Sequence, residues 1–179
     1  CIKCPSCGIM NGFGGAGAFS DGKYNITNDF GGTLYEHIGK EAALELMYYV
    51  DEINVSHGGQ GTKMYSTTGT SLKKTCMQNK LKLLDASVRH LGTDKNYIVL
   101  ENIYNELQER VDFFFMTPVE KLETLANGYR VITAKDSYEC DKCIVSVGRS
   151  GSKWMEKICQ ELEIPTMSNR VDLGVRVEL

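Results

Sequence analysis

The placement of glycine constrains this chain more than any other feature. Eight of its 18 glycines fall within the first 32 residues (Gly8, Gly12, Gly14, Gly15, Gly17, Gly22, Gly31 and Gly32), against only 3 prolines in the whole chain. Glycine serves where backbone takes a positive φ or approaches another group closely, and it weakens helix and strand interiors. Residues 1–32 are therefore expected to be loop and turn. A second group, Gly58, Gly59, Gly61 and Gly69, marks residues 58–70 as a polar loop.

Between and beyond these stretches, apolar periodicity predicts the elements. Leu34, Ile38, Ala42, Leu46 and Val50 recur at steps of four, and Ile53 continues the stripe of a helix. Gly39 within it costs about 1 kcal/mol relative to Ala, so a break or kink is expected there. A shorter helix is predicted over 71–80, with Leu72 and Cys76 on one side, and a strand within 81–91. The next helix runs from Asp94 to Arg110, with Val99, Ile103, Leu107 and Val111 in register and Thr93-Asp94 as the N-cap candidate.

From 112 to 147 the pattern changes to short strands. Phe113–Met116 is apolar, Pro118–Leu125 partly alternates, Asn127-Gly128 is a hairpin signal, and Tyr129–Ala134 alternates. Ile144–Val147 reads as a buried strand. Trp154, Ile158 and Leu162 mark a short helix ending before Pro165, and the alternation over 171–179 reads as an unfinished strand. This order of elements is α/β in character.

A chain of 179 residues, 42% hydrophobic and 24% charged, can bury a sizeable core and is neither a disordered tail nor a membrane protein. A net charge of −3, from 20 basic and 23 acidic residues, argues against a general nucleic-acid binder. No signal peptide is visible at Cys1, so a cytoplasmic location is expected. A chain that opens in a cysteine cluster and closes inside a strand reads as a piece of a longer polypeptide, whose remainder would be its first partner.

Gly12-Phe-Gly14-Gly-Ala-Gly17 is a literal G-x-G-x-x-G, but the context of a dinucleotide turn is missing. That turn follows a buried strand and opens a helix; here a Cys-Pro-Ser-Cys-Gly knuckle precedes and Ala18-Phe-Ser-Asp-Gly-Lys23 follows. The wider window says more. Gly12-Phe-Gly-Gly-Ala-Gly-Ala-Phe-Ser-Asp-Gly-Lys23, with Tyr24-Asn-Ile-Thr-Asn28, resembles a stretch in a family of poorly characterised FAD-dependent dehydrogenases. Gly22–Asn28 echoes the Gly-Gly-Gly-Arg-Cys-Asn-x-Thr-Asn stretch of a related flavoprotein group. Three further stretches are similar and fall in the family's order: Arg89-His-Leu-Gly-Thr-Asp94, Cys143-Ile-Val-Ser-Val-Gly-Arg-Ser-Gly151 and Val171-Asp-Leu-Gly-Val-Arg-Val-Glu178.

The resemblance covers nearly the whole chain. It implies an incomplete FAD-binding, Rossmann-like domain of the glutathione-reductase type, with a small antiparallel β-meander and helical segments. Residues 1–32 would be the cofactor-facing loop, 33–80 helical, 81–163 part of the FAD-binding domain, and 164–179 the start of a substrate domain. The cofactor-binding candidates are Gly12, Gly14, Gly15, Ala16, Gly17, Ser20, Asp21, Gly22 and Lys23, together with Gly148, Arg149, Ser150 and Gly151. A glycine run lets several backbone N–H groups converge on a pyrophosphate without Cβ obstruction, while Ser20 and Lys23 would add a hydroxyl and a cation. For Arg149 and Ser150, plain helix capping is an equal alternative. The family's N-terminal strand, with its own G-x-G-x-x-G, has no counterpart here, and its C-terminal part would lie beyond Leu179. The chain alone is thus expected to bind FAD weakly and to be inactive. In the full protein, FAD would exchange hydride or electrons with an unidentified substrate, with NAD(P)H as a candidate donor.

The cysteines support a rival reading. Cys1-x-x-Cys4-x-x-Cys7 and Cys140-x-x-Cys143 have metal-ligand spacing, which would make the chain a zinc- or iron–sulfur-binding interaction module. More than 130 residues separate the pairs, and position 11, where a fourth iron–sulfur cysteine would fall, is Asn. A thiol-redox role for the Cys1 cluster is the other option. Cys76 and Cys159 read as core, and His37 and His57 as surface or capping residues. His90, within the Arg89–Asp94 stretch, is the better functional candidate, and no catalytic acid or base is singled out.

Overall fold

A computed structural model describes residues 7–168 and residue 174. Cys1, Cys4 and the strand expected over 171–179 lie outside the described residues. The chain divides into two compact units between Phe113 and Phe114. Its class is mixed α/β, with helices and two small antiparallel sheets.

The first unit is built around the strand Ser87–His90. This is β3, and it pairs antiparallel with β1 (Lys23–Ile26) on one side and β2 (Met64–Ser66) on the other. Both outer strands lie in segments whose glycines predicted loop. Their alternating residues (Tyr24 and Ile26 on β1, Met64 on β2) are too few to register in sequence, and only pairing with β3 makes them strands.

The helices are α1 (Leu34–Ile38), α2 (Lys40–Asn54), α3 (Leu72–Gln78) and α4 (Thr93–Leu107). Gly39 separates α1 from α2 at φ 86° and ψ 156°, a conformation closed to residues with a Cβ, so the expected break occurs there. At the start of α4 the capping position is Gly92, without a side-chain cap, and Thr93 is already helical. That corrects the Thr93-Asp94 N-cap.

The face α2 buries also differs from the apolar stripe. Leu34, Ile38, Leu46 and Val50 are each about two-fifths exposed, whereas Ala43, Asp51 and Asn54 are buried. The reason is an ion pair described below, which turns the polar side of α2 towards β3. The core of this unit is small: Ile26, Ala43, Ala86, Leu91 and Val99.

The second unit is a β-meander followed by a helix. β4 (Val119–Leu125), β5 (Gly128–Thr133) and β6 (Ser137–Cys140) pair in sequence order, and the hairpin turn falls on Ala126-Asn127, with Gly128 paired to Leu125. α5 (Ser152–Glu161) buries Ile158 and Cys159, and β4 buries Leu122. Two expected strands do not form. Phe113–Met116 is irregular, with Phe114, Phe115 and Met116 more than half exposed, and Ile144–Val147 is coil, with Ile144 92% exposed. An uninterrupted apolar run becomes a buried strand only between flanking strands. The described residues offer it no parallel neighbours.

Candidate functional site

The glycine-rich loop begins with a turn in which the N–H groups of Met10 and Asn11 donate to the Cys7 carbonyl. Gly12, Gly14 and Gly15 then take φ of 97°, 79° and 52°, and a short 3-10 turn covers Gly15–Phe19. No strand precedes the loop among the described residues, and β1 follows it. Among the described residues the strand–loop–helix geometry of a dinucleotide turn is not present.

A buried side chain helps pin the loop. Asn96, on the first turns of α4, is fully buried; its Nδ2 donates to the Gly17 carbonyl at 2.7 Å, and its Oδ1 accepts from the Tyr24 hydroxyl at 2.8 Å. Burial raises the Tyr24 pKa above the ordinary phenol value. Further along α4, Phe13 packs edge-on against Tyr104 and Phe113, with ring centroids 5.4 and 5.8 Å away.

Gly22 closes the loop onto the sheet. The Leu91 N–H donates to its carbonyl at 2.9 Å, and a Cβ on Gly22 would lie 3.0 Å from the Cβ atoms of both Asn96 and Leu91. With φ at +63°, any other residue at this position would be strained on two counts. The Ser20 hydroxyl accepts from the Gly22 N–H at 3.1 Å.

Over residues 12–23 the exposed rim consists of Gly12, Gly14, Ala16, Gly17, Phe19, Ser20, Asp21 and Lys23. A Cβ on Gly12 or Gly17 would meet nothing within 4 Å, whereas one on Gly14 would strike Leu100 at 2.8 Å. Gly14 thus serves packing, and Gly12 and Gly17 leave backbone open to an approaching group. Lys23 is no free cation: Asp21 binds its ammonium at 2.7 Å, and this contact lowers the Asp21 pKa, with the loop backbone and His90 adding to it. His90 Nε2 sits 3.9 Å from Asp21 Oδ2, which brings the histidine singled out in sequence to the loop's edge. The residues fit a cofactor met by backbone and small side chains. They do not form a site that works by bare positive charge.

At the far end of β1 the chain opens into a cleft of about 300 Å³, lined among others by Thr27, Asn28, Asp29, Lys40, Tyr48 and Asp85. Thr27 Oγ1 donates to the Asp85 carbonyl at 2.7 Å, the Asp85 N–H donates to Asp29 Oδ2 at 3.2 Å, and Lys73 donates to Asp85 Oδ2 at 2.7 Å. Asn28 Nδ2 donates to the Lys40 carbonyl at 2.9 Å, while the buried Asn28 Oδ1 has no hydrogen-bond partner. The resembling stretch, residues 12–28, therefore runs from the glycine loop along β1 into this cleft.

Behind the sheet, Arg89 and Asp51 form a two-pronged ion pair at 2.6 and 2.8 Å, both side chains largely buried. Arg89 also donates to the Thr62 carbonyl at 2.8 Å, and the carboxylate holds its guanidinium above its ordinary pKa. Neither this pair nor Asn96 stood out in sequence. The available signal was polarity in an otherwise apolar register: Asn96 precedes Val99 and Ile103 on the buried side of α4.

Gly148, Arg149, Ser150 and Gly151 lie in the second unit. Gly148 takes φ +62°, Arg149 is exposed and its carbonyl accepts from the Ser152 N–H at 3.2 Å, and Gly151 caps α5 without a side chain. Neither Arg149 nor Ser150 occupies the cap position. For metal, no group of three or more His, Cys, Asp or Glu side chains that could hold an ion occurs among the described residues. Cys7, Cys140 and Cys143 are free thiols there, while Cys1 and Cys4 lie outside them. Cys159 is buried as expected; Cys76 is only half-buried. No helix among the described residues is long and apolar enough to cross a membrane.

No protein-family model, curated protein or solved structure matches this chain.

Proposed function

We propose that this chain is part of an FAD-dependent oxidoreductase, with residues 12–23 facing the cofactor. The observation that carries this reading is the exposed backbone of Gly12, Gly14 and Gly17, left-handed at the first two and anchored at Gly17 from behind by Asn96. A loop held in place by a buried amide, yet bare on its outer side, suits close contact with a large planar or anionic group. The order of the four resembling stretches supports the same reading, as does the cleft at the end of the first.

FAD, when bound, would supply the hydride- and electron-transfer chemistry. Gly12 and Gly17 would admit it to within backbone hydrogen-bonding distance, and the Ser20 hydroxyl would donate while its oxygen keeps the Gly22 N–H. Asp21 would hold Lys23 and His90 at the rim. Gly148, Arg149, Ser150 and Gly151, at the turn before α5, are cofactor-binding candidates on the resemblance alone. A Rossmann-like, glutathione-reductase-type arrangement belongs to the same proposal.

The test is the absorbance of the natural polypeptide that contains this chain. Oxidised-flavin bands that bleach on addition of NAD(P)H or dithionite are expected. A Gly17→Val variant should fold normally, because its side chain meets open space, and should lose flavin at least about tenfold by steric obstruction. Colourless protein holding stoichiometric zinc would overturn the reading in favour of a metal-binding module.

A further inference from the structure

Helix α4 holds two segments at once. A π-helical turn, Val55–Gly59, continues α2 and lies along α4, with Gly58 at φ 129° where a Cβ would come 3.1 Å from Ile98. Lys95 donates to the Gln60 carbonyl at 2.8 Å, Asn102 donates to the His57 carbonyl at 2.6 Å, and Glu106 meets His57 Nε2 at 2.9 Å. A second row on α4 holds the glycine loop: Asn96 at Gly17, Leu100 over Gly14 and Tyr104 against Phe13. Glu106 and Tyr104 thus share the last turn of the helix.

Of the ties to residues 57–60, only that between Glu106 and His57 changes with pH near neutrality. His57 Nδ1 lies 2.7 Å from the Ile53 carbonyl, one turn back in its own helical segment, and 3.1 Å from Ser56 Oγ. The protonated ring donates to Ile53 and Glu106 together, and both contacts favour that form. The neutral ring has a single N–H. Nδ1 keeps it, because the Ile53 carbonyl is fixed in the backbone and cannot withdraw. Nε2 then presents a lone pair to the Glu106 carboxylate, which is half-exposed and can swing towards Arg110, 3.3 Å away. Elsewhere on the two helices packed around the histidine, Lys95 is bound to Gln60 and Asp51 to Arg89.

We propose that His57 is a pH-operated latch on the glycine loop. Protonated, it ties Glu106 down and keeps the last turn of α4, with Tyr104, against Phe13. Neutral, it releases Glu106, that turn frays, and the Phe13 end of the loop loosens while Asn96 still holds the Gly17 end. The latch does not depend on flavin binding.

Hydrogen exchange of the intact chain tests this, each amide's rate being divided by its unstructured rate at the same pH. The reporters are the Gln108 and Val111 amides, which donate to the Tyr104 and Leu107 carbonyls, and the Gly15 amide, which donates to Gly12. From about pH 5.5 to about pH 8 their protection should fall roughly three- to fivefold. The Leu91 and Gly92 amides, which donate to Gly22 and Asp21 at the other end of the loop, should hold theirs. His57→Gln should abolish the fall. Glu106→Gln should abolish it too, with protection kept at its acid value, because an amide accepts from the protonated ring and donates to the neutral one. A fall of equal size at Leu91 and Gly92, a fall that survives His57→Gln, or no fall at Gln108 and Gly15 would each overturn the proposal.

Discussion

Asn96 reaches back 79 residues along the chain to donate its amide proton to the carbonyl of Gly17. The same side chain accepts the Tyr24 hydroxyl, so one buried amide on α4 fixes both the glycine loop and the first residues of β1. The loop's shape is thus set by tertiary contact as well as by its glycines.

Replacing Asn96 should show this. Asn96→Asp keeps the acceptor for Tyr24 but places a carboxylate oxygen against the Gly17 carbonyl. We expect a loss of about 2–4 kcal/mol in chemical denaturation, from the lost donor and a buried charge without a partner. Asn96→Ala should cost about 2–3 kcal/mol. Hydrogen exchange should accelerate over residues 12–24 before it does so in β3. Uniform acceleration across the unit would mean that Asn96 has no special hold on the loop.

Gly22→Ala tests the closure onto the sheet. Its positive φ costs about 1–2 kcal/mol for an L-residue, and crowding against Asn96 and Leu91 adds to that. A thermal melt should fall by several degrees, whereas Gly17→Ala, into open space, should leave it nearly unchanged. Equal melts for both would refute the packing of Gly22.

The Arg89–Asp51 pair is the main polar tie between α2 and the sheet. Removing one partner leaves a largely buried charge, and Asp51→Ala should cost about 3–5 kcal/mol. The double variant Asp51→Leu with Arg89→Met should recover much of that loss, since two apolar groups leave no orphaned charge. A double variant as unstable as the single one would show that the pair contributes more than mutual neutralisation.

His57 makes stability depend on pH. Its Nδ1 lies 2.7 Å from the Ile53 carbonyl and its Nε2 2.9 Å from Glu106, so both ring nitrogens face acceptors and the protonated ring satisfies both. The backbone contact to Ile53 and then Glu106 raise the His57 pKa, while His57, followed by Arg110, lowers that of Glu106. The sign follows from linkage: the histidine's contribution is complete below its unfolded pKa and is lost as pH rises through the raised folded value. Glu106 behaves oppositely, contributing above the ordinary carboxylate pKa and losing that contribution as pH falls. Denaturation midpoints measured from about pH 5 to about pH 8 should therefore decline, and His57→Gln should flatten the decline. An unchanged slope in the variant would assign the effect elsewhere.

Local chemistry in the sequence determined a good part of this structure. The break at Gly39, the helices near 40–54, 72–78, 93–107 and 152–161, and the hairpin around Asn127-Gly128 all follow from periodicity or turn residues acting within a few positions. The glycine excess likewise announced an irregular, largely exposed loop at residues 12–17. Tertiary structure decided the rest, because those outcomes depend on partners far along the chain. Lys23–Ile26 and Met64–Ser66 become strands only because Ser87–His90 lies between them, and Ile144–Val147, equally suited by composition, has no such neighbours among the described residues and is coil. The face that α2 buries was decided by Arg89, 38 residues beyond Asp51, and the anchoring of the glycine loop by Asn96. Glycine content can state that a loop is free to take unusual backbone angles; only a buried side chain from another element selects among them.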